Sequence, residues 1–167
     1  FPIIVRGRRL VADTEGAGRT IGAPSGFCEY GPLGNCTLEV AYVADGFINH
    51  AKGTQGGLRG AKNRNFLRAA GGELKELPAC CDIILQPGET VVSYCSGGGG
   101  YGPPYERPLE LVKHDLEEGW ITRQRAGDVY GIVFDRRGDI DESAPVERRK
   151  TLAQRRIEDS EDSPRPD

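Results

Sequence analysis

The sequence SGGGGYGPPYER, residues 96–107, decides where the regular structure of the chain changes. Four consecutive glycines and a fifth at Gly102 are followed by two prolines, so the stretch favours neither a regular strand nor a helix. It predicts a sharp chain reversal, or a backbone that approaches a ligand or a partner closely. A third interpretation is an anion-binding nest, because successive N–H groups without side chains can surround an anion.

Before this stretch, residues 1–95 have the character of β structure. Short runs rich in β-branched and aromatic residues are separated by Gly, Pro and Asn, which is typical of strands joined by turns. The clearest signal predicts a hairpin, in which Gln86-Pro87-Gly88-Glu89 forms a type II turn between two strands. Such short connections favour antiparallel pairing. The predicted strands cover residues 2–5, 27–30, 36–43, 64–67, 82–85 and 90–94.

After this stretch, the sequence predicts a small helical cap. Leu109, Val112 and Leu116 recur on one face of a helix over residues 108–118. Gly119 is well placed to end that helix, since glycine readily adopts the left-handed conformation found after helix C-termini.

A shorter helix is expected over residues 122–128, with Thr122 as its N-cap, and a short strand over 132–134. From Asp135 the chain is charged and nearly free of large apolar side chains, so we expect a largely disordered tail with some helix over 148–157. The predicted fold class is α+β, predominantly antiparallel β with a small C-terminal helical cap and a disordered tail. Its three regions are residues 1–95, 96–134 and 135–167.

The composition argues against several classes of function. The 167 residues carry 22 basic and 25 acidic side chains, so we expect no surface for nucleic acid or an anionic membrane. No apolar run reaches the ~18–20 residues that cross a bilayer. The five cysteines form no C-x-x-C and the two histidines stand far apart, which argues against a disulfide framework and a zinc site. We therefore expect a cytoplasmic protein with reduced, mostly buried cysteines and no metal site in this chain.

Sequence motifs of catalysis are missing or misplaced. The glycine run satisfies G-x-G-x-x-G, but two prolines follow where a dinucleotide site needs the start of a helix. The run lacks the Gly-Lys-Ser/Thr of a P-loop. Cys95-Ser96 stand at the end of a predicted strand without the G-x-S-x-G of a nucleophile elbow. Residue patterns alone therefore name no catalytic residue.

Three glycine-containing loops hold the candidate contact residues. Glycine paired with arginine suits the recognition of a carboxylate or a phosphate, although loop arginines are also commonly just solvated. The candidates for contact with a substrate or a partner are Arg19, Gly56, Gly57, Gly97, Gly98, Gly99, Gly100, Tyr101 and Gly102.

The stretch over residues 96–107 resembles the C-terminal signature of the hydantoinase B/oxoprolinase family. Further matching elements, in the expected order, are DTEGAGR (13–19), Arg64-Asn65, LQPGE (85–89) and DVYGIV (128–133). The resemblance spans about residues 1–135. Glu15 in place of a small residue and Pro103 in place of an acidic one depart from the family pattern.

The resemblance implies the B-type subunit of an ATP-dependent cyclic-amide hydrolase of the hydantoinase or 5-oxoprolinase type. In that family an A-type subunit binds ATP and phosphorylates a carbonyl oxygen, and the B-type part opens the cyclic amide with the help of a divalent metal. Family B-type chains are several times longer, with their metal ligands upstream of the matched segment. The resemblance therefore implies a C-terminal piece that holds no cofactor, with ATP on the partner and the metal in the upstream part.

Three alternatives remain open at this point. In the main interpretation, the isolated chain is expected to be inactive. The first alternative is a truncated, non-catalytic homologue that serves as a binding or assembly module. Related ATP-dependent ketone carboxylases, which join activated bicarbonate to a ketone, are the second. The third is an unrelated β-rich domain whose loop at Gly97–Gly102 holds an anion.

Overall fold

A computed structural model describes residues 2–143, 147–151 and 154 of the chain. The strands are β1 (Ile3–Leu10), β2 (Gly26–Pro32), β3 (Leu38–Val43), β4 (Arg64–Arg68), β5 (Leu74–Leu77), β6 (Cys80–Leu85) and β7 (Thr90–Tyr94). They form a five-stranded sheet in the order β1-β2-β7-β4-β5 and a two-stranded sheet of β3 and β6. All these pairs are antiparallel, which confirms the predicted fold class.

Helices follow the strands, as predicted. A turn of 3-10 helix over Pro104–Glu106 precedes α1 (Leu109–Glu117) and α2 (Arg123–Asp128). Thr122 caps α2, since its side chain accepts a hydrogen bond from the backbone N–H of Arg125. Gly119 follows α1 with a φ of +68°, the left-handed conformation that ends many helices.

Two apolar cores hold these elements together. Between the sheets, Leu38, Leu85 and Val91 are buried, because alternate residues of each strand face the opposite sheet. The second core lies beneath the helices and contains Ala17, Val112, Ile121, Ala126, Tyr130 and Ile132. The predicted apolar face of α1 enters this second core through Val112.

The predicted hairpin across Pro87-Gly88 is wrong. The turn itself exists, since Gly88 has a φ of +90° and the N–H of Glu89 donates to the carbonyl of Gln86 at 3.0 Å. The strands on either side, however, belong to different sheets: β6 pairs with β3, whereas β7 lies between β2 and β4. The turn therefore carries the chain from one sheet to the other, because both edges of β7 already have partners.

Two shorter elements also differ from the prediction. Strand β5 is absent from the sequence-based prediction, because Leu74–Leu77 is only four residues long and its sequence, Leu-Lys-Glu-Leu, lacks the alternation of apolar and polar residues typical of a strand. The segment over 132–134 forms an isolated bridge between Phe134 and Ile140 in place of the expected strand. Ile132 instead packs in the core beneath the helices.

The described part of the predicted tail contacts the rest of the protein. Residues 147–151 are helical, and Arg149 is 4% exposed. Its guanidinium donates to the carbonyl oxygens of Arg107 at 3.0 Å and of Tyr130 at 3.3 Å. The remainder of the predicted tail, residues 144–146, 152–153 and 155–167, lies outside the described residues.

The cysteines are more accessible than predicted. All five are free, Cys80 and Cys95 are exposed, and the other three are half-buried. The prediction of mostly buried thiols is therefore wrong: Cys36 and Cys95 lie outside the strands, Cys80 and Cys81 begin β6, and Cys28 lies within β2. Among the described residues, we find no helix long and apolar enough to span a membrane.

Leu85 and its neighbour Ile84 provide a matched test of the packing between the sheets. Leu85 is fully buried, whereas Ile84 is 61% exposed on the outer face of the same strand. We expect Leu85→Ala to lower the free energy of unfolding by about 2–5 kcal/mol, because it leaves a cavity between the sheets. Ile84→Ala should lower it by less than about 1 kcal/mol. Urea unfolding of both variants measures the difference, and equal losses would contradict this arrangement.

Candidate functional site

Three glycine-containing segments, residues 13–23, 51–61 and 97–102, pack together by their backbones, and we call this arrangement the glycine bundle. The N–H of Gly16 donates to the carbonyl of Gly98 at 2.8 Å, and the N–H of Gly98 donates to the carbonyl of Ala23 at 2.8 Å. These bonds connect the first segment to the third. The bundle therefore joins parts of the chain that are more than 70 residues apart in sequence.

The second segment contacts the same glycine run. The N–H of Gly97 donates to the carbonyl of Ala61 at 3.0 Å, and that of Gly100 donates to Leu58 at 2.9 Å. In return, the carbonyl of Gly100 accepts from the N–H of Thr54 at 2.9 Å. The run over 97–102 is thus the central chain of the bundle, with a neighbouring segment on two sides.

Glycine is required in this bundle because the chains approach at backbone contact distance. A Cβ atom at Gly22 would lie 2.1 Å from the carbonyl oxygen of Gly98, and one at Gly57 would lie 2.2 Å from that of Gly100. A Cβ at Gly100 itself would lie 2.1 Å from the carbonyl oxygen of Ala17. The glycine run therefore approaches the protein's own backbone, an arrangement other than the chain reversal or the approach to a ligand or partner that the sequence predicts.

These contacts decide against an anion nest at the glycine run. Such a nest needs free N–H groups that point together at the anion. The amides that instead donate to carbonyls of the flanking segments belong to Gly97, Gly98, Gly100, Tyr101 and Gly102. The interpretation of an anion held at Gly97–Gly102 is therefore wrong.

Three of the candidate contact residues meet at the exposed end of the bundle. Tyr101 is 46% exposed, and its backbone bridges to Thr20 on one side and Thr54 on the other. The guanidinium of Arg19 lies 5.8 Å from the centre of the Tyr101 ring. Gly56 is also exposed, in a turn with a φ of +88°. The other candidates, Gly57, Gly97, Gly98, Gly99, Gly100 and Gly102, take part in the backbone packing or lie beside it.

Asp13 links the bundle to α2. Its Oδ1 accepts a hydrogen bond from the backbone N–H of Thr122 at 2.7 Å, and its Oδ2 accepts one from the Thr122 hydroxyl at 2.8 Å. Asp13 has a φ of +63°, a left-handed conformation that aspartate adopts more readily than most residues. The two hydrogen bonds hold the start of the first segment against the helical cap.

Glu15 makes a second connection, from inside the protein. This residue is 1% exposed, and its Oε1 accepts hydrogen bonds from Arg125 Nε and from the Tyr130 hydroxyl, both at 3.0 Å. Burial raises the pKa of the Glu15 carboxyl, although the neighbouring Arg125 opposes the shift. The departure from the family pattern at this position thus introduces a buried carboxyl group whose Oε1 is bonded by α2 and Tyr130, whereas its Oε2 has no hydrogen-bond partner among the described residues.

A buried ion pair connects α1 to the same region. Arg107 donates from Nε and Nη2 to the two carboxylate oxygens of Asp115, at 2.8 and 3.0 Å. Both side chains are almost fully buried. Arg107 also donates to the backbone carbonyl of Arg19 at 3.2 Å, so the ion pair helps to position the exposed end of the bundle.

The sequence motifs point to glycines of the bundle but not to the polar side chains that hold the bundle in place. Asp13, Glu15 and Asp115 look like ordinary charged residues, and their partners lie eight to more than 100 positions away. Within the described part of the chain, no three His, Cys, Asp or Glu residues lie close enough to hold a metal ion. His114 is exposed on α1, with its ring 5.3 Å from that of Trp120.

Gly100 and Gly71 provide a matched test of the glycine bundle. A Cβ at Gly100 would clash with the Ala17 carbonyl, whereas one at Gly71 would meet nothing within 4 Å. We expect Gly100→Ala to lower the free energy of unfolding by more than ~3 kcal/mol or to prevent folding, because backbone must move to admit the methyl group. Gly71→Ala should change it by less than about 0.5 kcal/mol. Thermal unfolding of the two variants measures this, and equal stability would exclude the described packing.

The buried carboxyl of Glu15 should make stability depend on pH. Because burial raises its pKa above the ordinary value of 4.5, the protonated form is favoured in the folded protein. The stability that this carboxyl contributes is therefore complete below its unfolded pKa and is lost as pH rises through its folded pKa. We expect the difference in unfolding free energy between wild type and Glu15→Gln to fall as pH rises above 4.5 in urea titrations. A difference that rises with pH would show that Arg125 outweighs burial.

Comparison with known proteins places these features in a family. The sequence model of the hydantoinase B/oxoprolinase family matches residues 1–104. The beta subunit of caprolactamase from Pseudomonas jessenii is 32% identical over 152 residues, which cover 86% of this chain and 25% of that subunit. The alpha subunit of acetone carboxylase from Xanthobacter autotrophicus is 24% identical over 195 residues, 93% of this chain and 25% of that subunit. The chain thus spans about a quarter of the length of these relatives.

Solved structures agree with this assignment. The ATP-dependent caprolactamase from Pseudomonas jessenii superposes with a TM-score of 0.71 and 26% identity, over 90% of this chain and 26% of that chain. The nucleotide-free acetone carboxylase superposes with a TM-score of 0.63 and 21% identity, over 98% of this chain and 26% of that chain, which shows a shared fold. With the family sequence model covering more than half of its residues, the chain belongs to the hydantoinase B/oxoprolinase family.

Proposed function

We propose that the chain is the C-terminal part of the B-type subunit of an ATP-dependent cyclic-amide hydrolase, acting with an A-type ATP-binding subunit. The observation that carries this proposal is the likeness to the caprolactamase beta subunit in both sequence and fold. An amide carbonyl is a poor electrophile, and phosphorylation of its oxygen creates a good leaving group. The proposed enzyme is cytoplasmic and couples that activation to opening of the ring.

The chain's own part in this proposal is structural. The divalent metal of the family needs a ligand cluster, and the described residues do not bring one together. Five of the six backbone amides of residues 97–102 donate to internal carbonyls, so these five are not free to bind nucleotide phosphates. We propose that the metal lies in the upstream part of the subunit and ATP on the partner subunit, and we expect the isolated chain to be inactive.

The exposed end of the glycine bundle is the proposed contact with the A-type subunit. Tyr and Arg are enriched among the residues that contribute most to protein interfaces, and Tyr101 and Arg19 stand together here on a rigid support. The ion pair between Arg19 and Glu106 spans 3.8 Å and is about half exposed, so it contributes little stability to this chain. Arg19 can therefore exchange this partner for a carboxylate of the other subunit at small cost.

A ketone carboxylase is the second candidate function. The likeness to the acetone carboxylase alpha subunit, over 93% of this chain, supports it. The two reactions share the need for an ATP-activated substrate but differ in the group that attacks it. Substrate trials with the assembled enzyme distinguish them.

The proposed function is tested by reconstitution. The chain is combined with an upstream B-type part and an A-type subunit, and ring-opened product is measured with a lactam and ATP, and carboxylated product with acetone, bicarbonate and ATP. We expect lactam opening only when all components and ATP are present. Lactam opening by the isolated chain would contradict the proposal. Undiminished activity without the chain would favour the assembly-module alternative, and acetone carboxylation alone would favour the second candidate.

The proposed partner surface is tested separately by the variant Arg19→Ala/Tyr101→Ala. We expect at least about tenfold weaker binding to the A-type subunit, because residues of this kind commonly contribute ~2 kcal/mol or more at interfaces. Arg136→Ala, at an exposed turn far along the chain, serves as the control and should bind normally. Surface plasmon resonance with the immobilised A-type subunit provides the measurement. Unchanged binding by the double variant would place the contact elsewhere.

A further inference from the structure

The two edges of the five-stranded sheet differ in how well they are protected. An edge strand has unpaired N–H and C=O groups, and proteins commonly keep other chains away from it by making it short, charged or bulged. At one edge, β5 follows this rule, with only four residues, Leu-Lys-Glu-Leu. At the other edge, β1 has eight residues, and seven of them are exposed. Of the two edges, β1 is therefore the one that another strand can reach.

The first half of β1 is apolar on both of its faces. Ile3, Ile4 and Val5 are 41%, 37% and 57% exposed, and we call these three residues the open edge. Because successive residues of a strand point to opposite faces, apolar side chains lie both above and below the backbone here. Leu33, at the end of the neighbouring β2, is 53% exposed and enlarges this apolar surface.

The backbone of the open edge has hydrogen-bonding groups that face away from the sheet. The carbonyl of Pro2 accepts from the N–H of Leu33 at 2.8 Å, which makes these two residues a hydrogen-bonded pair. Such pairs alternate along antiparallel strands, so the N–H and C=O groups of Ile3 and Val5 point away from β2. Pro32, which has no N–H, lies opposite Ile3, in agreement with this alternation. Two residues of the open edge can therefore pair with a further strand.

The second half of β1 is basic. The pairing with β2 shifts its register between Val5 and Gly7, so a β-bulge separates the two halves. Arg6, Arg8 and Arg9 are all exposed, in a chain whose net charge is −3. Among the described residues, none of these three arginines forms an ion pair. The strand thus offers an apolar surface with three cations beside it.

We propose that the open edge binds an extended segment of the upstream part of the B-type subunit, which adds a strand to the sheet. This inference rests on the proposed function, in which the chain is the C-terminal part of such a subunit. The segment has apolar residues against Ile3–Val5 and carboxylates against the arginines of β1. Backbone hydrogen bonds to Ile3 and Val5 supply affinity, and the change from apolar to charged residues sets the register.

The length of the relatives and the charge of β1 support this choice of occupant. The matched stretch is 25% of the caprolactamase beta subunit, so most of that subunit lies outside it. A second copy of this chain is a poorer occupant, because its own β1 would bring three more arginines to the strand pair and no carboxylate. Like charges placed together at an interface are unfavourable, whereas an acidic segment neutralises the arginines.

Hydrogen–deuterium exchange of the unaltered 167-residue chain tests the proposal. The chain is measured alone and with the upstream part of the B-type subunit, and mass spectrometry with electron-transfer fragmentation resolves single amides. We expect exchange of the Ile3 and Val5 amides to slow at least about tenfold in the mixture. The amide of Glu76 is the control and should not change, because it points outward from β5 by the same alternation.

Three outcomes of this measurement would overturn the proposal. The first is no binding, and the second is binding that leaves the exchange of Ile3 and Val5 unchanged. The third is protection of these amides in the chain alone that increases with its concentration, which would identify a second copy as the occupant. Neither ATP, lactam nor the A-type subunit is present, so these outcomes are separate from a failure to open the lactam in the reconstitution assay.

Proline substitution tests the backbone contact. Val5→Pro removes an N–H that points away from β2, and proline is tolerated at such positions of edge strands. We expect at least about tenfold weaker binding to the upstream part in isothermal titration calorimetry, because a backbone hydrogen bond of the added strand is lost. Glu76→Pro removes an outward N–H at the opposite edge and should retain wild-type affinity. Equal affinity of the two variants would exclude the open edge as the binding surface.

Charge reversal tests the chemistry of the occupant. We expect Arg8→Glu to weaken binding at least about tenfold, because it places a carboxylate against the carboxylates of the segment. Lys75→Glu makes the same change of charge at an exposed position of β5 and should bind normally. Wild-type affinity of Arg8→Glu would contradict the charge complementarity on which the choice of occupant depends.

Discussion

The structure depends on the contact of backbone with backbone in the glycine bundle. At Gly22 and Gly100, the space that a Cβ would need is occupied by a carbonyl oxygen 2.1 Å away. Hydrogen bonds between amides and carbonyls of the three segments satisfy polar groups that would otherwise be buried without partners. Since this packing brings the chain before β2, the loop before β4 and the chain after β7 to one place, it also sets where the helical cap can lie.

The charged residues around the bundle explain how a structure with so few side chains at its centre remains in one arrangement. Asp13 and Glu15 connect the first segment to α2, and Arg107 connects α1 to the backbone of Arg19. Removing one partner of a buried ion pair such as Arg107–Asp115 leaves an uncompensated charge, which is strongly unfavourable. These interactions are therefore directional links that fix the cap against the bundle.

The space between the two sheets is apolar at one end and polar at the other. At one end, Leu38, Leu85 and Val91 form a compact apolar core. At the other, Asn63 and Asn65 are buried beside a cavity, where apolar residues would contribute more stability.

The sequence by itself determined the α+β class, the helices with their caps, and the irregular glycine-rich connection at residues 97–102, because these follow from local preferences of Gly, Pro and the apolar repeat. It also carried the family resemblance, because each matching element is a short continuous stretch, although the elements are spread over about residues 1–135. Only the tertiary structure decided that the turn at Pro87-Gly88 joins two sheets, since a type II turn is compatible with either arrangement and the partners of β7 are distant in sequence. The same holds for Glu15 and Asn63, whose burial depends on residues that the fold alone brings near them.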